Sequence, residues 1–395
     1  MKLNLTLFGL SLFSILSYAQ PNTDVYVFDL GMENNNVVLS NPKNISNNDG
    51  YDNQPSFLNN NSILYASTRS DQTDIRLFDI EAGSISSWIT DTPTGSEYSP
   101  LKIPNKKAVS AIRLDLDGLQ RLYEYDIATG NSKPILKDLK VGYHIWYNDN
   151  ILVSTVLIEN RMDLVVSNLK DKTNYTFQKN VGRNLSKIPN TDLISFISKE
   201  GDIWEIKSLN PISGETSIIS KTLKNSEDIC WLNDSNILTG NGKSLFRLNT
   251  KSDGQWKKIQ SFKEDEINNI TRIAVSENSK RLAFVAEDSP AKIVQKQLDA
   301  YNARDIDAFM ETYTNDITLI NFPNKELLKG QEKMRISYAS YFETTPDLNC
   351  KIKNRIVIGN KVIDEEYITA NGQNFSAVAI YEVENGKISK VTFIQ

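Results

Sequence analysis

Six related phrases divide the first two thirds of the chain: "SFLNNNSILYAS", "LKIPNKKAVSAI", "IWYNDNILVSTV", "SKIPNTDLISFI", "CWLNDSNILTGN" and "AVSENSKRLAFV". They recur about every 44 residues. Each joins an apolar pair to a polar turn rich in Asn, Pro, Asp or Ser, and then to a second short apolar run. That is the pattern of a β-hairpin. Further strand-like runs follow most of them, such as "DIRLFDIEAG" and "QRLYEYDIATG", and then a fourth such as "SISSWIT" or "KPIL". Four short strands at this period predict one blade of a β-propeller, whose twisted sheets bury both faces against their neighbours. Two phrases, "YNDNILVSTV" and "LNDSNILTGN", are near-copies, and each follows a tryptophan, Trp146 and Trp231.

The sixth repeat stops after two strands. Two candidates for the missing pair stand at the other end of the chain, where "DVYVFDLG" and "NVVLSNP" match third and fourth strands. The expectation is an all-β, six-bladed propeller over residues 20–288, its last blade completed by the N-terminal strands so that no sheet edge is left open.

The first residues, "MKLNLTLFGLSLFSILSYAQ", carry one lysine, an apolar run and then small residues. Residues 1–19 therefore predict a signal peptide and an exported chain, periplasmic or secreted. No later stretch predicts a membrane span. The net charge of -5, from 44 basic and 49 acidic residues without long blocks, gives nucleic acid no electrostatic footing. Cys230 and Cys350 are the only cysteines and His144 the only histidine. Zinc sites built on His pairs are excluded by count, no metal or cofactor is expected, and histidine-based triads are confined to the neighbourhood of His144. No G-x-S-x-G elbow accompanies the propeller, so a peptidase of that type is excluded. The loops feeding the innermost strands should gather Tyr51, Asp52, Glu97, Tyr98, Tyr143, His144, Arg183, Glu227, Asp228 and Arg272 at one rim, a surface suited to a peptide or protein.

The runs "YDNQPSFLNNNSILYASTRSDQTDIRLFDIEAG" and "GSEYSPLKIPNKK" resemble the TolB-like, WD40-like propeller repeat of bacterial periplasmic proteins. The resemblance implies a periplasmic scaffold that recognises proteins or peptides at the mouth of its channel.

After residue 288 the rhythm changes. Ile293, Val294, Leu298 and Tyr301 recur at helical spacing, Asp305 can cap a second helix carrying Ile306, Phe309, Met310 and Tyr313, and "GQEKMRISYASYF" predicts a third. Four strand-like runs follow, joined by Gly359-Asn360, Asn371-Gly372 and Asn385-Gly386, which is hairpin-turn chemistry. Residues 289–395 thus predict a small α+β cone, three helices on a bent antiparallel sheet around an apolar pocket. "AYNARDIDAFMETYTNDI", "KGQEKMRISYASYF" and "AIYEVENGKISKVTFI" resemble the SnoaL-like branch of the nuclear transport factor two-like superfamily. Catalytic positions that the resemblance implies for its ketosteroid isomerases fall on Gln297, Phe322 and Ala379, which have the wrong chemistry.

Strand alternation puts Asp364 and Glu366 on one face, and together they are the candidate catalytic pair. Turned inward, burial and mutual repulsion should raise one of them; turned outward, they would meet water, Arg335 or Arg355. Tyr301, Phe309, Tyr313, Phe322, Tyr338, Phe342 and Tyr381 are the expected ligand-binding aromatics. Two functions follow: a binding or scaffold protein with a small apolar ligand in the cone, or an acid–base isomerase or hydrolase using Asp364 and Glu366. Homodimerisation through the C-terminal domain is a further expectation.

Overall fold

The computed structural model describes residues 22–394 except 35, 49, 71, 253 and 264–266. The expected signal peptide, residues 1–19, lies outside the described residues. In chain order the first strands are β1 (Thr23–Glu33) and β2 (Asn36–Asn44). A four-stranded sheet follows, β3 (Asp52–Asn59), β4 (Ser62–Arg69), β5 (Gln72–Asp79) and β6 (Ser84–Trp88). The next comprises β7 (Gly95–Lys102), β8 (Ala108–Asp115), β9 (Gln120–Asp126) and β10 (Ser132–Leu136). The third comprises β11 (Val141–Trp146), β12 (Ile151–Ile158), β13 (Arg161–Asn168) and β14 (Thr173–Gln178). The fourth comprises β15 (Val181–Lys187), β16 (Ile194–Ser198), β17 (Glu205–Leu209) and β18 (Thr216–Lys221). The fifth comprises β19 (Ile229–Trp231), β20 (Asn236–Asn241), β21 (Ser244–Asn249) and β22 (Trp256–Ser261). The sixth joins both ends of the repeat region: β23 (Asn268–Val275) and β24 (Arg281–Glu287) pair with β1 and β2 in the order β2-β1-β24-β23.

Each sheet is a blade with its first strand innermost, and those six innermost strands line one central cavity. The joint between β1 and β24 is continuous from Thr23↔Glu287 to Asp29↔Arg281. Behind it, Phe28, Phe284 and Phe262 stack within 5.1–5.6 Å of one another. The same local chemistry serves "TDVYVFDL" in β1 and "TDIRLFDI" in β5. Asp24 accepts a hydrogen bond from Ser46 Oγ (2.8 Å), which itself accepts from the Val25 amide; Asp74 accepts from Thr90 Oγ1 (2.9 Å), which accepts from the Ile75 amide. In both blades a buried carboxylate and hydroxyl thus satisfy a backbone donor where the ladder ends.

The duplicated tryptophan phrase has a structural cause. Trp146 Nε1 donates to Ser110 Oγ of the preceding blade at 2.8 Å, and Trp231 Nε1 donates to Ser195 Oγ of its preceding blade, also at 2.8 Å. All four side chains are buried. The indole packs its apolar body into the seam between blades while its N–H finds a fixed acceptor.

The C-terminal unit begins two residues after β24. Its elements are α1 (Pro290–Ala303), α2 (Ile306–Glu311), β25 (Tyr313–Asn321), β26 (Lys325–Lys329), α3 (Gln331–Thr344), β27 (Asn349–Ile358), β28 (Lys361–Ala370), β29 (Gln373–Glu384) and β30 (Lys387–Ile394). Ser289 caps α1, with Pro290 opening it, and the Asp305 carboxylate accepts from the amides of Asp307 and Ala308 to start α2. The sheet runs β26-β25-β30-β29-β28-β27. It is mixed rather than antiparallel, because β25 runs parallel to β30. Tyr313, expected on the second helix, opens β25 instead: α2 stops at Glu311 and Thr312 turns the chain into the sheet. Asn371-Gly372 and Asn385-Gly386 all have positive φ, as two-residue hairpin turns require.

An ion cluster joins the two units. Lys292 Nζ on α1 lies 3.4 Å from Asp24 of β1 and 3.2 Å from Asp288, and Asn22 Nδ2 donates to Asp288 at 2.7 Å.

Candidate functional site

The concave side of the mixed sheet and the helices enclose a cavity of about 350 Å³. Its wall is aromatic and aliphatic, with Tyr301, Tyr313, Tyr338 and Tyr381 joined by Tyr341, Phe375 and Phe393. One ionisable carboxylate lines it, Glu366. Strand β28 alternates as expected, with Val362, Asp364, Glu366, Ile368 and Ala370 inward. The two carboxylates nonetheless meet different surroundings. Asp364 sits opposite Arg355 on β27, which grips it through two 2.7 Å bonds, Nε to Oδ1 and Nη2 to Oδ2. Arg355 also donates to Gln295 on α1 at 2.9 Å. Asp364 therefore ties sheet to helix and does not line the cavity, which corrects its reading as half of a catalytic pair. The other expected partner, Arg335, reaches Asp307 on α2 instead.

Glu366 lies two residues on, between Ile352 and Ala377 of the flanking strands, and is 5% exposed. Its Oε1 accepts from the Tyr381 hydroxyl at 2.8 Å. Burial pushes Glu366 up to about 7; the Asp364 charge adds to the rise, and the Tyr381 hydroxyl and Arg355 oppose it. Burial likewise holds the hydroxyls of Tyr301, Tyr313, Tyr338 and Tyr381 protonated, well above the ordinary phenol range. Gln297, also in the wall and buried, leaves its Oε1 without a hydrogen-bond partner. Such a site can orient a polar group on an apolar molecule, and its carboxyl can give or take a proton near neutrality.

Three expected ligand contacts lie elsewhere. Phe309 is fully buried behind the cavity, its ring 4.8 Å from Tyr338 and 5.3 Å from Phe342, so Phe309 and Phe342 are core. Phe322 is exposed just beyond β25, held by its backbone, whose N–H donates to Phe393 O at 2.8 Å. The sequence reading passed over Tyr341, one helical turn from Tyr338, and Leu327 and Leu328, which line the cavity from β26. The Tyr338–Tyr341 spacing was a usable signal; a five-residue edge strand offered almost none.

In the propeller, Arg183, Asp228, Arg272 and Tyr143 converge on the central cavity. Arg183 clasps Asp228 through Nε (2.9 Å) and Nη2, while Arg272 Nη1 reaches the same carboxylate at 3.3 Å and Nη2 donates to the Tyr143 hydroxyl at 3.1 Å. Burial alone would raise Asp228, but Arg272 and Arg183 outweigh it and hold the carboxylate at about 2. Tyr51 and Tyr98 meet edge to face at 6.1 Å, and Tyr51 feels the charges of both arginines. Bulges in the innermost strands set this arrangement: Gln54, Ser99 and Arg272 occupy matching register breaks in β3, β7 and β23, all with positive φ.

His144 adjoins the same channel but presents almost none of its ring to it. Its ring is buried, shares a 2.7 Å hydrogen bond with Ser110 Oγ, and is pushed by burial down to about 3, so it stays neutral. Asp52 and Glu97 are also buried in the blades, Glu97 accepting from Tyr125 OH at 2.9 Å.

Residues 294–391 match the model of the SnoaL-like domain family. No curated protein matches the chain. Among solved structures, TolB from Agrobacterium tumefaciens is similar over 68% of this chain and 99% of its own, at 9% identity and a TM-score of 0.53, a likeness of fold. A cystatin-fold protein from Novosphingobium aromaticivorans is 28% identical, covering 27% of this chain and 97% of its own (TM-score 0.26). An NTF2-like protein from Cytophaga hutchinsonii is 18% identical, covering 26% of this chain and 87% of its own (TM-score 0.24). The chain thus carries a TolB-like propeller and a SnoaL-like domain.

Proposed function

We propose that this is an exported binding protein whose SnoaL-like domain holds one small, largely apolar ligand by a polar group placed against Glu366 and Tyr381. The propeller is its recognition module for a protein, peptide or envelope component. The single observation that carries the ligand reading is an aromatic-walled cavity of about 350 Å³ with one ionisable carboxylate in its lining. Specific small-molecule sites have that composition: mostly apolar walls, with few polar groups fixing orientation. Export rests on the composition of residues 1–19.

The test is native mass spectrometry of the full chain purified from its cellular envelope fraction, with extraction and identification of any bound molecule. Ala377 lines the cavity and is buried opposite Glu366, so Ala377→Phe should fill the space and abolish the adduct. An adduct of undiminished occupancy in that variant would remove the reading.

A second reading is favoured by the position of Glu366 near neutrality. A carboxyl at about 7 is suited to general acid–base work, here by Glu366 alone rather than with Asp364. Chemical conversion of the recovered ligand by the wild type, lost in Glu366→Gln, would establish it. Association of two copies through the outer sheet face, where Ile356 and Ile358 are exposed, is a separate proposal. Sedimentation of the full chain and of Ile356→Lys tests it: a monomer in both would exclude it.

A further inference from the structure

We propose that the propeller channel binds carboxylate groups, those of an extended acidic peptide segment. This rests on the reading of the propeller as a recognition module and names the chemistry that it recognises.

The argument begins with charge. Around the channel Arg183, Arg272 and Lys199 face Asp228 and Glu227, the last of which pairs with Lys199 at 2.7 Å and lies 3.6 Å from Arg183. Three cations meet two anions, so one positive charge is uncompensated where the arginine side chains are largely buried. Both arginines share the one Asp228 carboxylate, so a second anion entering there meets a net positive charge. Asp228 shows which anion the geometry suits, because a carboxylate already sits in the fork of Arg183 with Arg272 beside it. Nη1 of Arg183 has no acceptor among the described residues and remains for a second carboxylate.

The same excess continues along the channel. Its wall carries the cations Lys102, Arg183, Lys187 and Arg272 against the anions Asp228 and Glu277, in a chain whose net charge is -5. Lys102 and Lys187, at the far ends of β7 and β15, have no acidic partner among the described residues. A channel of about 480 Å³ with cations at both ends fits an extended segment bearing more than one carboxylate. Phosphate is disfavoured by the backbone. The six lining elements are edge strands, and among the described residues no helix N-terminus, the usual phosphate cradle, faces the channel.

Calorimetry of the full chain decides it, with three probes: a doubly capped hexapeptide alternating Glu and Ala, its Gln counterpart, and free succinate. The Glu peptide is expected to bind, to weaken as salt rises from about 50 to about 300 mM, and to exceed the Gln peptide about tenfold or more. Arg272→Gln should reduce its affinity about tenfold. Lys187→Gln, at the exposed end, should cost about two- to threefold and flatten the salt dependence, a readout independent of whether the Arg272 variant folds. Binding of succinate without the peptides would keep the carboxylate site and assign it to a free dicarboxylate. Equal binding of Glu and Gln peptides would leave a recognition module but overturn the carboxylate inference. No binding of either the Glu peptide or succinate would overturn it outright.

Discussion

Two side chains one turn of strand pleat apart, Asp364 and Glu366, receive opposite fates because of what lies across the ladder from each. Arg355 opposite Asp364 makes that carboxylate a strut; Ile352 and Ala377 opposite Glu366 leave it in an apolar wall. Removing the strut's partner strands a buried charge, so Arg355→Ala should cost roughly 3–5 kcal/mol in denaturant unfolding of the cone. A loss below about 1 kcal/mol would show the pair to be solvated. Glu366 carries a pH dependence of defined sign. Its folded value, about 7, lies above the ordinary 4.5, so the folded state holds the extra proton between those values. Its contribution is fully present below pH 4.5 and is lost as pH rises through about 7, roughly 3 kcal/mol in all. Glu366→Gln should remove that slope from unfolding measured between pH 5 and 8, and an unchanged slope would mean another group is responsible.

At the scale of elements, the tryptophan seams predict a coupling. Trp146→Phe keeps most of the ring but loses the donor to Ser110, and Trp231→Phe does the same to Ser195, each at about 1 kcal/mol. A double-mutant cycle of Trp146→Phe with Ser110→Ala should return that coupling; additive losses would show that the indole only packs. The blades were legible in the sequence because every blade needs the same apolar pair, polar turn and second apolar run to bury two faces. Helices α1 and α3 were legible from their spacing, and β27 to β30 from runs separated by Asn-Gly turns. Strand β25 was not, since Tyr313 follows Phe309 at helical spacing and nothing local marks the exit from α2 at Thr312. Alternation placed Asp364 and Glu366 on one inward face, but only the register with β27 shows that Arg355 claims the first and not the second. His144 was legible as a residue of the channel side, but not that Ser110 of the neighbouring blade would claim its ring. Phe322 was not legible as exposed, because an aromatic at a strand end is held there by its backbone alone.

Across the whole molecule, the N-terminal strand, the end of β24 and the first turn of α1 meet in Asp24, Asp288 and Lys292. Burial and the Asp24 charge push Asp288 up to about 7. Asp24 stays below its ordinary value, held there against burial by Asp288, Lys292, Asn44 and Ser46. The stabilisation from Asp288 is therefore lost as pH rises through about 7, and that from Asp24 is lost as pH falls below the usual carboxylate range. Asp288→Asn should raise the unfolding temperature of the full chain above pH 7 and Asp24→Asn should lower it; the reverse order would dissociate this cluster from the joint. The ligand reading itself meets its most direct test in a ¹³C carboxyl titration of Glu366 in the full chain, with and without saturating 2-naphthol, a small apolar probe with one hydroxyl. A midpoint near 7 that moves when the probe is added is the predicted result. A midpoint at the ordinary 4.5, or one that saturating probe leaves in place, would contradict an apolar ligand site anchored on Glu366.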